Sequence, residues 1–178
     1  MNSERLVNTF LELVRINSVS KDEKILALEL KARLEKLGFE TYIDDADIKS
    51  GSNIGNLIAK LEGNKNVPSI MLSAHMDTVN PGYNIKPQIV NGIIKSDGTT
   101  ILGADDKAGI AAILEAVTYI IEKNIPHGPI EIVFTICEEI GLLGAKYLDH
   151  SKLQSKYAFV FDSSGEVGTV IIQGPSQK

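Results

Sequence analysis

The 178-residue sequence predicts an α/β fold, with helices covering the faces of a β-sheet. Two observations carry this. The second half runs strand, helix, strand, helix, strand, the order that an α/β sheet requires. The composition, 43% hydrophobic and 23% charged, is that of a soluble globular chain. Such a length withdraws roughly 70% of its extended-chain surface from water without disulfides. One domain is expected, since no internal repeat or low-complexity linker interrupts the chain.

From Glu4 to Ile16, Leu6, Val7, Phe10, Leu11, Leu13 and Val14 recur near the 3.6 period of an amphipathic helix. Ser20, with Glu23 three residues later, has the form of a capping box. The helix it announces runs through Leu26, Leu30, Leu34 and Leu37 to Gly38, with its Lys and Glu residues on a solvated face. Short apolar or alternating runs at Phe39 to Ile43, Asn56 to Leu61 and Ser69 to Ala74 read as strands. Asn91-Gly92, between apolar pairs in Gln88 to Lys95, signals a hairpin. A helix from about Asp106 to Glu122, a strand from Ile130 to Ile136 and a short helix near Leu142 to Leu148 follow. Tyr157 to Phe161 and Thr169 to Ile172 read as the last strands.

Eighteen Lys and Arg against 23 Asp and Glu give a net charge of -5. No segment gathers the cations needed to track a phosphate backbone, so nucleic acid is not an expected partner. Glu4, Arg5, Glu12 and Arg15 interrupt the first sixteen residues, unlike a signal peptide. The apolar stretch Gly109 to Ile121 is broken by Glu115 and is too short for a membrane span. Cys137 is the only cysteine, so no intrachain disulfide forms. A cytoplasmic protein without membrane contact is expected.

Ligands of α/β sheets sit beyond the carboxyl ends of the strands. Four such ends deliver acids or an imidazole: His75 and Asp77, Asp105 and Asp106 before the long helix, Glu138 and Glu139, and Asp162. One carboxylate there is equally a helix cap or a solvated turn. Four on one edge accumulate negative charge that calls for a cation. In His75-Met76-Asp77, residues i and i+2 face the same way on an extended segment, so Asp77 can accept the second ring N–H of a metal-bound His75. The pair Asp105-Asp106 reads alone as an N-cap, or as a carboxylate bridging two metals. Glu138 and Glu139 are costly side by side unless one binds a cation and the other takes a proton, and spacing leaves open which does which. Neighbours on a strand face opposite ways, so a turn is needed to bring both to one site. His127 and His150 lie in turn-like settings and read as surface residues. Ser73 and Cys137 are poor nucleophiles, the latter because an apolar strand raises its pKa.

Three segments together resemble the co-catalytic dizinc peptidases and amidohydrolases, the family that includes peptidase T, aminoacylase and succinyl-diaminopimelate desuccinylase. They are Ser73 to Val79, Leu102 to Gly109 and Ile136 to Ala145, and the likeness is nearest to the peptidase T-like tripeptidases. The resemblance implies a three-layer αβα catalytic domain with a mixed, mostly parallel sheet. It implies two Zn2+, or Co2+ or Mn2+ with the same ligand types. His75 and Asp162 would bind one ion, Glu139 the other, and Asp105 would bridge them. Asp77 would orient His75, and Glu138 would be the general base that takes a proton from the attacking water and passes it to the leaving amine. The Asp105-Asp106 peptide would be cis. The implied activity is hydrolysis of short peptides, with N-acyl-amino-acid hydrolysis or a catalytically incomplete metal-binding fragment as alternatives. Family members continue into a lid or dimerisation domain and then return to the sheet with a last histidine ligand. Residues 1–178 are therefore expected to be the N-terminal portion of the catalytic domain, incomplete at the C-terminus, with homodimerisation assigned to the absent lid.

Overall fold

The computed structural model describes residues 1–163, 165, 166 and 168–172. Helices α1 (Ser3–Arg15) and α2 (Lys24–Lys36) precede strand β1 (Glu40–Ile43), a short helix α3 (Ala46–Ser50) and strands β2 (Leu57–Leu61) and β3 (Ile70–His75). The hairpin β4 (Gln88–Val90) and β5 (Ile93–Lys95) leads to the long helix α4 (Ala104–Glu122). Strand β6 (Ile130–Thr135), helix α5 (Leu143–Lys146), a 3-10 turn (His150–Lys152) and strand β7 (Tyr157–Val160) complete the described elements.

The main sheet has the order β1-β2-β6-β3-β7. β2 pairs antiparallel with both β1 and β6, whereas β3 pairs parallel with β6 and β7. Four of the five strands therefore share one direction, and the sheet is mixed but mostly parallel. The register His75↔Thr135 brings the carboxyl ends of β3 and β6 level, and Phe161 N–H donates to the Ser73 carbonyl (2.9 Å), which brings the end of β7 beside them.

Helix α1 buries Phe10, Leu13 and Val14, and Asn2 caps it by accepting the Arg5 N–H (3.1 Å). Arg5 reaches across to Glu115 of α4 (2.6 Å), so the acid that breaks the apolar run of α4 ties the two helices together. Asn91 and Gly92 both have positive φ (53° and 77°), as a type I′ hairpin turn demands. Five of the six β6 residues are buried, so both faces of this central strand are covered.

Glu131 is the charged residue of β6 and is 3% exposed. It accepts the N–H groups of Gln154 (3.1 Å) and Ser155 (2.8 Å) and lies 3.3 Å from Lys60 Nζ. Burial works to raise its carboxyl, but the Ser155 and Gln154 donors and Lys60 outweigh it and hold the group below its ordinary value. A depressed folded-state pKa stabilises the fold above the unfolded value and is lost as pH falls through the carboxylate range. Glu131→Gln is expected to lower stability at pH 7 by about 1–3 kcal/mol. In urea titrations at stepped pH, the gap from the parent should narrow on acidification below about pH 4.5.

Three sequence expectations need correction. Ser20 and Glu23 do not form a capping box: α2 begins at Lys24, and Glu23 makes no side-chain cap. Glu23 is fully buried rather than on a solvated face, because the N–H of Cys137, from the far end of β6, takes its carboxylate. Thr169 to Ile172 is not a strand, because no strand pairs with it among the described residues, and Val170, Ile171 and Ile172 are exposed. Helix α3 and the 3-10 turn were not anticipated, and both carry short polar sequence with no extended apolar period.

Candidate metal and catalytic site

His75 ends β3 and is 3% exposed. Its Nε2 lies 3.0 Å from Asp105 Oδ1, and its Nδ1 lies 3.5 Å from Asp77 Oδ1. Burial opposes the imidazolium, but Asp77 and Asp105 outweigh it and hold the ring up at about 10. The Asp77 carboxyl is fully buried. Burial alone would raise it, but the His75 ring, the Ser20 hydroxyl and the Glu138 N–H keep it below its ordinary value.

Asp77 also shapes the segment after β6. Its Oδ1 accepts the Glu138 N–H (2.8 Å), and its Oδ2 accepts the Glu139 N–H (3.2 Å) and the Ser20 hydroxyl (2.6 Å). Just before, the Ile136 N–H donates to Asn56 Oδ1 (3.1 Å) and the Cys137 N–H to Glu23 Oε1 (3.0 Å). Four successive amides thus leave the β-ladder for side-chain acceptors. Cys137 takes φ 50° at this point. The chain breaks out of strand geometry, and the two adjacent glutamates, which a strand would point apart, both come to His75.

The turn closes on itself. Glu138 O accepts from Gly141 (3.0 Å) and Leu142 (2.8 Å), and the Gly144 N–H donates to Ile136 O (2.9 Å). A Cβ on Gly144 would sit 2.3 Å from Ile136 O and 2.5 Å from Asn56 Oδ1, so this approach requires glycine. Asn56 Nδ2 donates to the Gly144 carbonyl (2.9 Å) and to buried Asp44 (2.9 Å).

Asp105 and Asp106 open α4 after Gly103, and the peptide between them is cis. The Asp105 side chain is 73% exposed at the mouth of the site. Asp106 turns inward, accepts the Gly109 N–H (3.2 Å), and is pushed up to about 7 chiefly by burial. A Cβ on Gly109 would meet Asp106 Oδ1 at 2.3 Å and Phe161 O at 2.7 Å, so glycine lets α4 approach the end of β7, where Asp162 follows.

Two groups of ligating atoms result, each within 4.8 Å: His75, Asp105 and Asp162, and His75, Glu138 and Glu139. Burial raises the carboxyls of Glu138 and Glu139, and Asp77 and Asp162 add to the rise of both against the pull of His75. The nearby buried cation, Lys107, gives its Nζ to the Ile16 carbonyl (2.7 Å) and not to these acids. One imidazole amid crowded carboxylates is a donor set that fits divalent zinc, cobalt or manganese.

The structure brings all six residues selected from the sequence, His75, Asp77, Asp105, Glu138, Glu139 and Asp162, to one edge of the sheet. The long His75–Asp77 separation is the point of difference, because the Asp77 oxygens are committed to Ser20 and the two amides as well. Sequence reasoning missed Ser20, Glu23 and Asn56 as parts of this region. Cys137 is buried and its thiol is pushed up to about 12 by burial and by Glu23, as its apolar setting predicts.

The sequence profile of peptidase family M28 matches residues 56–171. The chain is 50% identical to aminopeptidase PepT from Bacillus cereus ATCC 10987 over 94% of its length, with a TM-score of 0.92, and covers 45% of that chain. A tripeptidase from Staphylococcus aureus subsp. aureus Mu50 is 44% identical with a TM-score of 0.92, over 94% of this chain and 45% of that one. Peptidase T of Escherichia coli strain SE11 is 32% identical over 91% of this chain and 48% of its own. The chain thus spans about half the length of the relatives it matches. No helix among the described residues is long and apolar enough to cross a membrane. Profile, fold and strand-end acids agree, and the chain belongs to peptidase family M28.

Proposed function

We propose that residues 1–178 carry the N-terminal portion of the catalytic domain of a zinc-dependent exopeptidase that releases the N-terminal residue of short peptides, tripeptides foremost. The observation that carries this reading is the meeting of His75, Asp105, Asp162, Glu138 and Glu139 at one sheet edge. The tripeptidase and peptidase T relatives supply the substrate class. His75 and Asp162 would hold one ion, Glu139 a second, and Asp105 would lie between them. When bound, the cation pair supplies the positive charge that activates water and polarises the scissile carbonyl.

Glu138 accepts the proton of the attacking water as the new C–O bond forms. It delivers that proton to the amide nitrogen as the C–N bond breaks, leaving an amine and a carboxylic acid, whose own proton then passes to the amine to give the ammonium and carboxylate products. Burial and the neighbouring acids raise the Glu138 carboxyl above its ordinary value, which makes it a stronger proton acceptor than a free glutamate. Asp77 lies 3.5 Å from His75 Nδ1 and accepts the Glu138 and Glu139 amides, which places the base beside the imidazole.

N-acyl-amino-acid hydrolysis on the same centre is the competing substrate class. Trialanine and N-acetyl-alanine, assayed with the whole protein that carries this sequence, separate the two. Free trialanine is expected to be hydrolysed with a kcat/KM at least about 100-fold higher, a margin of roughly 3 kcal/mol in transition-state binding. Preference for the acetylated compound would transfer the protein to the amidohydrolase class.

A further inference from the structure

Beneath the Glu138-Glu139 turn lies a carboxylate that the proposed chemistry does not use. Glu23 sits between α1 and α2 in sequence and is 0% exposed. Its Oε1 accepts the N–H groups of Cys137 (3.0 Å) and Lys21 (3.0 Å) and lies 3.4 Å from Cys137 Sγ. Its Oε2 accepts the Ser52 hydroxyl (2.6 Å). Every one of these partners is a donor, and none is a cation.

A buried carboxylate is costly to desolvate and persists where its hydrogen bonds are specific. Here it receives the amide of Cys137, which takes φ 50° at the point where the chain leaves β6, ahead of the second left-handed residue of the turn, Leu142 (φ 57°). Thiol-bearing residues rarely adopt that region, and such a conformation is retained only when its surroundings impose it. The next two amides go to Asp77. Glu23 and Asp77 thus share the work of bending the chain: one sets the Cys137 pivot, the other receives the two acids that swing from it. Ser52, in the loop after α3, fixes the Glu23 oxygen from the opposite side.

We infer that Glu23 is a positioning residue that sets the direction in which Glu138 and Glu139 leave β6. The inference deepens the peptidase reading and rests on it for the roles of those two acids. It touches neither substrate nor metal.

The test compares Glu23→Ala, Glu23→Gln and Ser52→Ala with the parent in the whole protein carrying this sequence. Glu23→Ala is expected to lower kcat for trialanine about 10- to 100-fold with KM within about threefold, the signature of a displaced reacting group rather than lost binding. The cobalt-loaded protein should show an altered visible absorption band, because Glu139 no longer meets the ion in the same geometry. Glu23→Gln keeps an oxygen that can accept the Cys137 N–H and should recover most of kcat and the parent spectrum. Ser52→Ala, which leaves the carboxylate in place but frees one oxygen, should shift both in the same direction by less than Glu23→Ala. If Glu23→Ala does not fold, Glu23→Gln and Ser52→Ala decide alone: a cobalt band unmoved in Ser52→Ala, with parent kcat, overturns the inference. Parent kcat and an unmoved band in folded Glu23→Ala overturn it as well. A cobalt band that moves in a protein inert toward trialanine upholds the positioning role and refutes the peptidase reading instead.

Discussion

Glu138→Gln should abolish most peptide hydrolysis while leaving metal binding intact. The glutamine keeps the shape of the side chain, and its backbone N–H still donates to Asp77 (2.8 Å in the parent), so the turn is preserved. What is lost is the capacity to accept a proton. General acid–base catalysis by one positioned group is commonly worth about 10²–10⁴-fold, and in the proposed mechanism the same group would serve twice, for the water and for the leaving amine. A fall in kcat of about 10³-fold or more is therefore expected. Stopped assays on trialanine, paired with metal analysis of the same sample, check it. Turnover within a few-fold of the parent would remove Glu138 from the mechanism.

Asp105→Ala is expected to have the larger effect on the centre itself. Asp105 is 3.0 Å from His75 Nε2 and shares one ligating group with His75 and Asp162. It also lies in the first turn of α4, and in the proposed site its carboxylate would lie between the two ions. Its removal leaves His75 and Asp162 as the remaining members of their group, with one carboxylate fewer to neutralise the cation. Both ions should be lost, and hydrolysis with them. Because the side chain is 73% exposed, its loss opens no cavity in the core, and thermal stability of the metal-free protein should stay within about 1 kcal/mol of the parent. The effect is then on the site and not on folding.

Much of this was legible in the sequence, for identifiable reasons. The strand runs of β2, β3, β6 and β7 announce themselves by apolar period, and His75, Asp77, Glu138, Glu139 and Asp162 fall at or just after the ends of β3, β6 and β7. That coincidence is what locates a site in an α/β sheet. Asn91-Gly92 gave the hairpin because a type I′ turn tolerates few other pairs. The limits are equally physical. Ser20 and Glu23 carry the pattern of a local cap, yet both were recruited by distant partners, Asp77 and Cys137. A buried hydrogen bond spanning more than a hundred residues, as between Glu23 and Cys137, has no local signature. The turn that unites Glu138 and Glu139 depends on four side-chain acceptors from three separate segments, so spacing alone could state the need for a turn but not supply it. Thr169 to Ile172 failed as a strand for the converse reason: β-prone residues form a strand only where another strand pairs with them.

The proposed function stands on the strand-end acids and His75 forming a metal centre. Native mass spectrometry of the protein after exposure to a small excess of zinc, run beside Asp105→Ala, tests it most directly. Specific zinc uptake by the parent that disappears in the variant is the expected result. A parent that binds no zinc, or an Asp105→Ala protein that binds as much as the parent, would contradict it.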